Sequence, residues 1–261
     1  MTSLRRQTVR IRPHLDLDVR VGGEGSPVLV LHGAPGPAAL TALTEHLARS
    51  HYVVAPTHPG WEGTARPDDL DSVPDLAAVC LELLDRLGLS RVTVIGTSFG
   101  GWVATQVALD GREGQVSGLV LMDAIGPVIP GHRITVPSGP PTPRPSDPAA
   151  RPSARGGPPA QTAAALRAYA GPDLQDPGLL PRLGELALPV LVVWGGDDTV
   201  VTPAYGRAYA DAFPRSRFVL VPGAGHLPLR EEPEAVLALL DDFLGPQDRT
   251  ERGVPAPSPQ E

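Results

Sequence analysis

The sequence predicts a doubly wound α/β architecture: eight strands in one mostly parallel sheet with antiparallel first strands. Three observations carry that expectation. Apolar strand-like runs alternate with amphipathic helical stretches along most of the 261 residues. The first two strand candidates alternate apolar and polar residues, whereas the later ones are continuously apolar, as strands buried on both faces are. Finally, Gly96-Thr97-Ser98-Phe99-Gly100-Gly101 lies between a β-branched run and an Ala-rich helical pattern. That is Gly-x-Ser-x-Gly in a strand–turn–helix setting, with a serine at the apex.

Taken in order, residues 8–12 and 15–21 read at period two as antiparallel strands with one wet face. Gly22, Gly23 and Gly25 supply the turn before the apolar run 27–31, which ends at His32-Gly33. A helix over 38–49 leads to a strand at 52–55, and a Pro- and Gly-rich loop fills 56–71. Ser72-Val73-Pro74-Asp75 opens the next helix, with Ser at the cap, Pro just inside and a carboxylate in the first turn. The strand at 91–95 enters the Ser98 turn, the helix beyond it reaches Asp110, and 116–122 is another buried strand. Strands at 188–194 and 217–221 and helices at 203–213 and 232–244 complete the pattern.

Between Pro127 and Pro159 proline occurs eleven times and hydrophobic periodicity disappears. Proline fixes φ and removes a donor, so 137–159 is expected to be flexible, within an insert spanning about 126–185 whose only helical stretch is 160–170. The expected organisation is one domain over 1–245 and a polar, Pro-rich, disordered tail over 246–261.

Composition narrows the function classes. The net charge of −7 argues against a nucleic-acid or anionic-membrane surface, and all basic side chains except His are Arg. The first residues lack the apolar core of a signal peptide and no apolar run reaches membrane-spanning length, so a cytoplasmic protein is expected. Cys80 is the single cysteine, which excludes an internal disulfide; its apolar neighbours at helical spacing mark it as a core residue. No Walker-type or Gly-x-Gly-x-x-Gly motif and no His–carboxylate spacing of a helical metal site is present, so neither cofactor nor metal is expected. A small-molecule substrate is the expected partner; oligomeric state is left open.

In parallel sheets, ligand sites lie beyond the carboxyl ends of the strands. His32-Gly33, the Ser98 turn, Asp197-Asp198 and His226 all fall there. A serine hydroxyl needs a base to become a nucleophile, and His226, in a Gly-rich loop after the last strand, is the candidate. An acid must accept the other ring N–H of that histidine. Asp197, Asp198 and Asp123 all qualify by position, and spacing does not choose among them. The oxyanion requires two aimed N–H donors, expected from Phe99 and from Ala34 in His32-Gly33-Ala34-Pro35-Gly36. His32 and Gly33 are expected to support that loop. The competing view of Ser98 is a residue that merely caps the helix after it.

These motifs together resemble the α/β-hydrolase fold superfamily. The resemblance rests on His32-Gly33-Ala34-Pro35-Gly36, Gly96 to Gly101, Trp194-Gly195-Gly196-Asp197-Asp198, and Gly225-His226 followed by Glu231-Glu232-Pro233-Glu234. It implies Asp198 as the acid, third after the glycine closing its strand and followed by Val200, Val201 and Pro203. It places the family's Asp/Gly-rich turn at 57–64, where the usual aspartate is absent, and a helical cap where this chain carries its Pro-rich insert. The implied activity is a cofactor-independent serine hydrolase, esterase-like, working through Ser98, Asp198 and His226. The alternatives are a non-catalytic small-molecule binding protein and other chemistry on the same scaffold: C–C hydrolysis, amidase, lactonase or haloperoxidase-like activity.

Overall fold

The sheet is built on a pleat in which both faces are apolar. In β3 (Pro27–Leu31), Val28 and Val30 point to one core and Leu29 and Leu31 to the other. The computed structural model describes residues 4–135 and 160–245; the expectations for 137–159 and 246–261 lie outside the described residues.

Chain order begins with β1 (Arg5–Arg12) and β2 (Leu15–Gly22), which pair antiparallel; β2 alternates buried with more open positions, and Ile11 is the buried residue of β1. After β3, a short 3₁₀ turn at Pro37–Leu40 leads into α1 (Thr41–Leu47), then β4 (Tyr52–Pro56) and α2 (Val73–Arg86). Ser72 caps α2 by accepting the Asp75 N–H at 3.3 Å. β5 (Val92–Thr97), α3 (Phe99–Asp110) and β6 (Val116–Met122) follow. The insert contributes β7 (Gly126–Pro127), α4 (Ala160–Ala170), β8 (Gln175–Asp176) and α5 (Leu179–Arg182). The fold closes with β9 (Val190–Gly195), α6 (Pro203–Asp211), β10 (Ser216–Val221), the single turn α7 (Pro228–Glu231) and α8 (Pro233–Leu244).

The main sheet has eight strands in the order β1-β2-β4-β3-β5-β6-β9-β10. β2 pairs antiparallel with both β1 and β4, and every later pairing is parallel. Only β2 therefore runs against the rest. Side chains of α2, α3 and α6, among them Leu83, Val107 and Tyr209, fill one core. Those of α1 and α8, among them Leu43, Leu47, Val236 and Leu240, fill the other. Strand order reverses between β3 and β5, which opens a crevice at their carboxyl ends.

The insert departs from the expectation that 160–170 is its only helical stretch. α5 and a 3₁₀ turn at Leu183–Glu185 follow it, because Leu179, Leu183 and Leu186 anchor that segment in the core. α4 docks through Tyr169, whose hydroxyl donates to the Pro59 carbonyl at 3.2 Å. Among the described residues no helix is long and apolar enough to cross a membrane.

Candidate active site

Ser98 sits between β5 and α3 at φ 52° and ψ −119°, in the left-handed region that L-residues rarely occupy. The turn is tight enough that a Cβ at Gly100 would overlap the carbonyl oxygens of Leu31 and His32, and one at Gly96 would overlap the Gly100 carbonyl. Those contacts explain the glycines on either side of the serine. Ser98 stands at the N-cap of α3, yet its side chain makes no capping hydrogen bond. Its Oγ lies instead 3.0 Å from Nε2 of His226.

His226 reaches the serine from the loop after β10. That loop is held by Glu231 on α7, whose Oε2 accepts the Gly225 N–H at 2.8 Å. Nδ1 of His226 lies 2.8 Å from Oδ2 of Asp198. The other oxygen of Asp198 accepts the N–H groups of Val200 (2.7 Å) and Val201 (3.1 Å). Three hydrogen-bond partners thus surround one buried carboxylate. Asp197 is exposed, and its backbone N–H donates to the Ala224 carbonyl at 2.8 Å.

The loop 32–36 packs directly against the serine. A Cβ on Gly33 would stand 3.0 Å from the Thr97 carbonyl oxygen and 3.1 Å from Cβ of Ser98. The carbonyl of Ala34 accepts from the Trp61 indole at 3.2 Å, which holds the Ala34–Pro35 peptide. Phe99 follows Ser98 directly as the first residue of α3, and Ala34 follows Gly33 in the loop that packs on the serine.

His32 is fully buried, with Nδ1 at 2.9 Å from the Gly33 carbonyl and Nε2 accepting the His58 N–H at 3.0 Å. His58 returns a bond through its own Nε2 to the His32 carbonyl at 3.1 Å. Burial depresses the basicity of both rings, to about 4 for His32 and well below the usual histidine range for His58. Two neutral imidazoles therefore clamp the loop 32–36 to the turn 57–64. Sequence reasoning overlooked His58 and Glu231 as individual braces, although His58 occupies the Asp/Gly-rich turn and Glu231 follows the His226 loop.

A family model described as the Alpha/beta hydrolase family matches residues 28–239. The chain belongs to that family. This α/β hydrolase is 36% identical over 109 residues to the 2-hydroxy-6-oxo-2,4-heptadienoate hydrolase of Pseudomonas putida, covering 40% of this chain and 39% of that protein. It is 45% identical over 65 residues to BpoC of Mycobacterium tuberculosis, named a candidate non-heme bromoperoxidase; the match spans only 25% of either chain. Among solved structures it is similar to a thermophilic esterase from Thermogutta terrifontis, at 26% identity and a TM-score of 0.72, covering 92% of this chain and 98% of that one.

One further acidic group stands in this hydrolase's site. Asp123, the residue after β6, is buried, and its Oδ1 accepts the Gly195 N–H at 2.9 Å. Asp123, Asp198 and His226 each bring a ligating atom within 4.8 Å of the others, the one such cluster among the described residues. Most of those atoms are already committed: Asp198 to His226 and two N–H groups, and Asp123 Oδ1 to Gly195.

Proposed function

We propose that this α/β hydrolase is a cofactor-independent serine hydrolase that cleaves an ester or related acyl bond of a small molecule. The observation that carries the reading is the unbroken relay from Ser98 Oγ through His226 to Asp198, at 3.0 and 2.8 Å. His226 stands within hydrogen-bond reach of both Ser98 and Asp198, which is the geometry a nucleophilic hydroxyl requires.

In this mechanism Ser98 Oγ attacks the acyl carbon while His226 Nε2 takes its proton. Asp198 holds the ring through Nδ1–H and stabilises the imidazolium that forms. The carbonyl oxygen, now an oxyanion, accepts from the N–H groups of Phe99 and Ala34; losing one such donor costs about 3 kcal/mol of transition-state stabilisation. Collapse breaks the bond to the alcohol, which leaves with the proton from His226. Water then attacks the acyl-serine with His226 again as base, and carboxylate leaves.

Hydrolysis of short and medium p-nitrophenyl esters by wild type and by Ser98→Ala tests this. Turnover is expected in wild type and is expected to vanish in the variant. Equal rates in both, or a folded wild type with no turnover, would remove the esterase reading. The partial match to the dienoate hydrolase favours one second reading, hydrolysis of a carbon–carbon bond in a dienoate. That reading predicts turnover of 2-hydroxy-6-oxo-2,4-heptadienoate by a wild type inert toward the esters.

A further inference from the structure

Asp123 has no part in the relay, yet it is built into the same site. Its side chain is wholly buried, its backbone is held at φ 45°, and its Oδ1 is fixed by the Gly195 N–H. Its Oδ2 is buried with no hydrogen-bond partner among the described residues. A carboxyl oxygen of Asp123 lies within 4.8 Å of Asp198 and of a ring nitrogen of His226. An ionised Asp123 would be a second buried negative charge beside Asp198, held by a single N–H. Two such carboxylates do not both ionise readily; they share a proton.

We propose that Asp123 is a positioning residue for the relay: a neutral carboxyl that turns its Oδ2 proton toward Asp198 and keeps the pair at one negative charge. Asp198 then receives the His226 ring, two backbone N–H groups and the Asp123 hydroxyl, and is locked in the plane that His226 needs. The groups facing Asp123 agree with this. Asp198 comes from the loop after β9, His226 from the loop after β10 and Glu231 from α7. Burial first, then Asp198, and more weakly Glu231 push the Asp123 carboxyl well above the usual carboxylate range, against the opposing pull of the Gly195 N–H.

This role rests on the serine-hydrolase reading, so its test has one arm that needs turnover and one that does not. In the first arm, Asp123→Asn keeps a donor toward Asp198 and an acceptor for Gly195, whereas Asp123→Leu keeps neither. A hydrogen bond to a charged group is worth roughly tenfold to hundredfold in rate, so Asp123→Leu is expected to lose about that in kcat with KM little changed. Asp123→Asn should stay within about fivefold of wild type. The rate of Ser98 labelling by a fluorophosphonate replaces kcat if no ester is turned over.

The second arm compares unfolding by urea across pH for wild type and Asp123→Asn. A carboxyl whose folded-state affinity for its proton is raised stabilises the protein below the usual carboxylate range and loses that contribution as pH rises toward its folded value. The wild-type unfolding constant should therefore rise relative to Asp123→Asn by about tenfold per pH unit above that range, until Asp123 ionises. Parallel pH curves, an Asp123→Leu variant as fast as wild type, or an Asp123→Asn variant as slow as Asp198→Asn would each overturn the proposal. Silence in the ester assay with normal labelling defeats the esterase reading alone. Absence of labelling as well defeats the positioning role, while the pH arm still reads the shared proton.

Discussion

At the scale of residues, the candidate acids are separated by what each side chain touches. Asp198 bonds to His226 and to two backbone N–H groups, Asp197 faces solvent, and Asp123 is buried behind them. An amide in place of Asp198 would favour the wrong tautomer of His226. Asp198→Asn should lower kcat by roughly 10³–10⁴-fold, and Asp197→Asn by no more than about threefold, in steady-state ester hydrolysis. From the sequence, Asp198 stood out only through the family pattern. Spacing along the chain carries no information on which of two adjacent carboxylates turns inward; that depends on the Val200 and Val201 N–H groups folding back over Asp198. The position of Asp123 after strand 116–122 put it on the same rim, but its contact with Asp198 was out of sight, because β6 and β9 become neighbours only in the assembled sheet.

At the scale of elements, the turn between β5 and α3 functions because two backbones cross at glycine. Gly100 lies against the carbonyls of Leu31 and His32, so a methyl group there must displace β3 or α3. Gly100→Ala is expected to destabilise the fold by about 2–3 kcal/mol in urea denaturation, with a loss of activity beyond the change in stability. Gly33→Ala sits closer to the chemistry. Its Cβ would press on the Thr97 carbonyl and Ser98 at 3.0 and 3.1 Å, displacing the Ala34 N–H from the proposed oxyanion position. It should lower kcat by about tenfold or more while leaving the unfolding midpoint nearly unchanged. Element boundaries followed the sequence closely wherever a physical signal was local: Ser72 capping α2, Pro203 opening α6, continuous apolar runs for β3, β6 and β9. The signal failed in the insert. α5 is a single turn, too short for periodicity to register, and it is set by burial of Leu179 against the body of the fold.

At the scale of the molecule, five neighbouring strands bring distant residues to one rim, with β3, β5, β6, β9 and β10 ending at His32, Ser98, Asp123, the Asp198 loop and the His226 loop. The rim is stapled by neutral buried histidines, and this has a pH consequence. The unfolded chain takes up protons on His32 and His58 as pH falls below the ordinary histidine value of 6.5, whereas the folded chain resists, down to about 4 for His32. The unfolded state thus binds more protons, and stability falls as pH drops from 6.5 toward 4. Urea midpoints across that interval should decline, the two rings outweighing the single opposing carboxyl of Asp123, and midpoints that rise as pH falls would contradict two neutral buried rings.

The most direct test of the central claim, that Ser98 is a nucleophile activated by His226, is intact-mass and peptide mapping after reaction with a fluorophosphonate. One adduct is expected, on the peptide containing Ser98, absent in Ser98→Ala and formed much more slowly in His226→Gln. A folded wild-type protein that takes no label, or a label that persists in Ser98→Ala, would contradict the account.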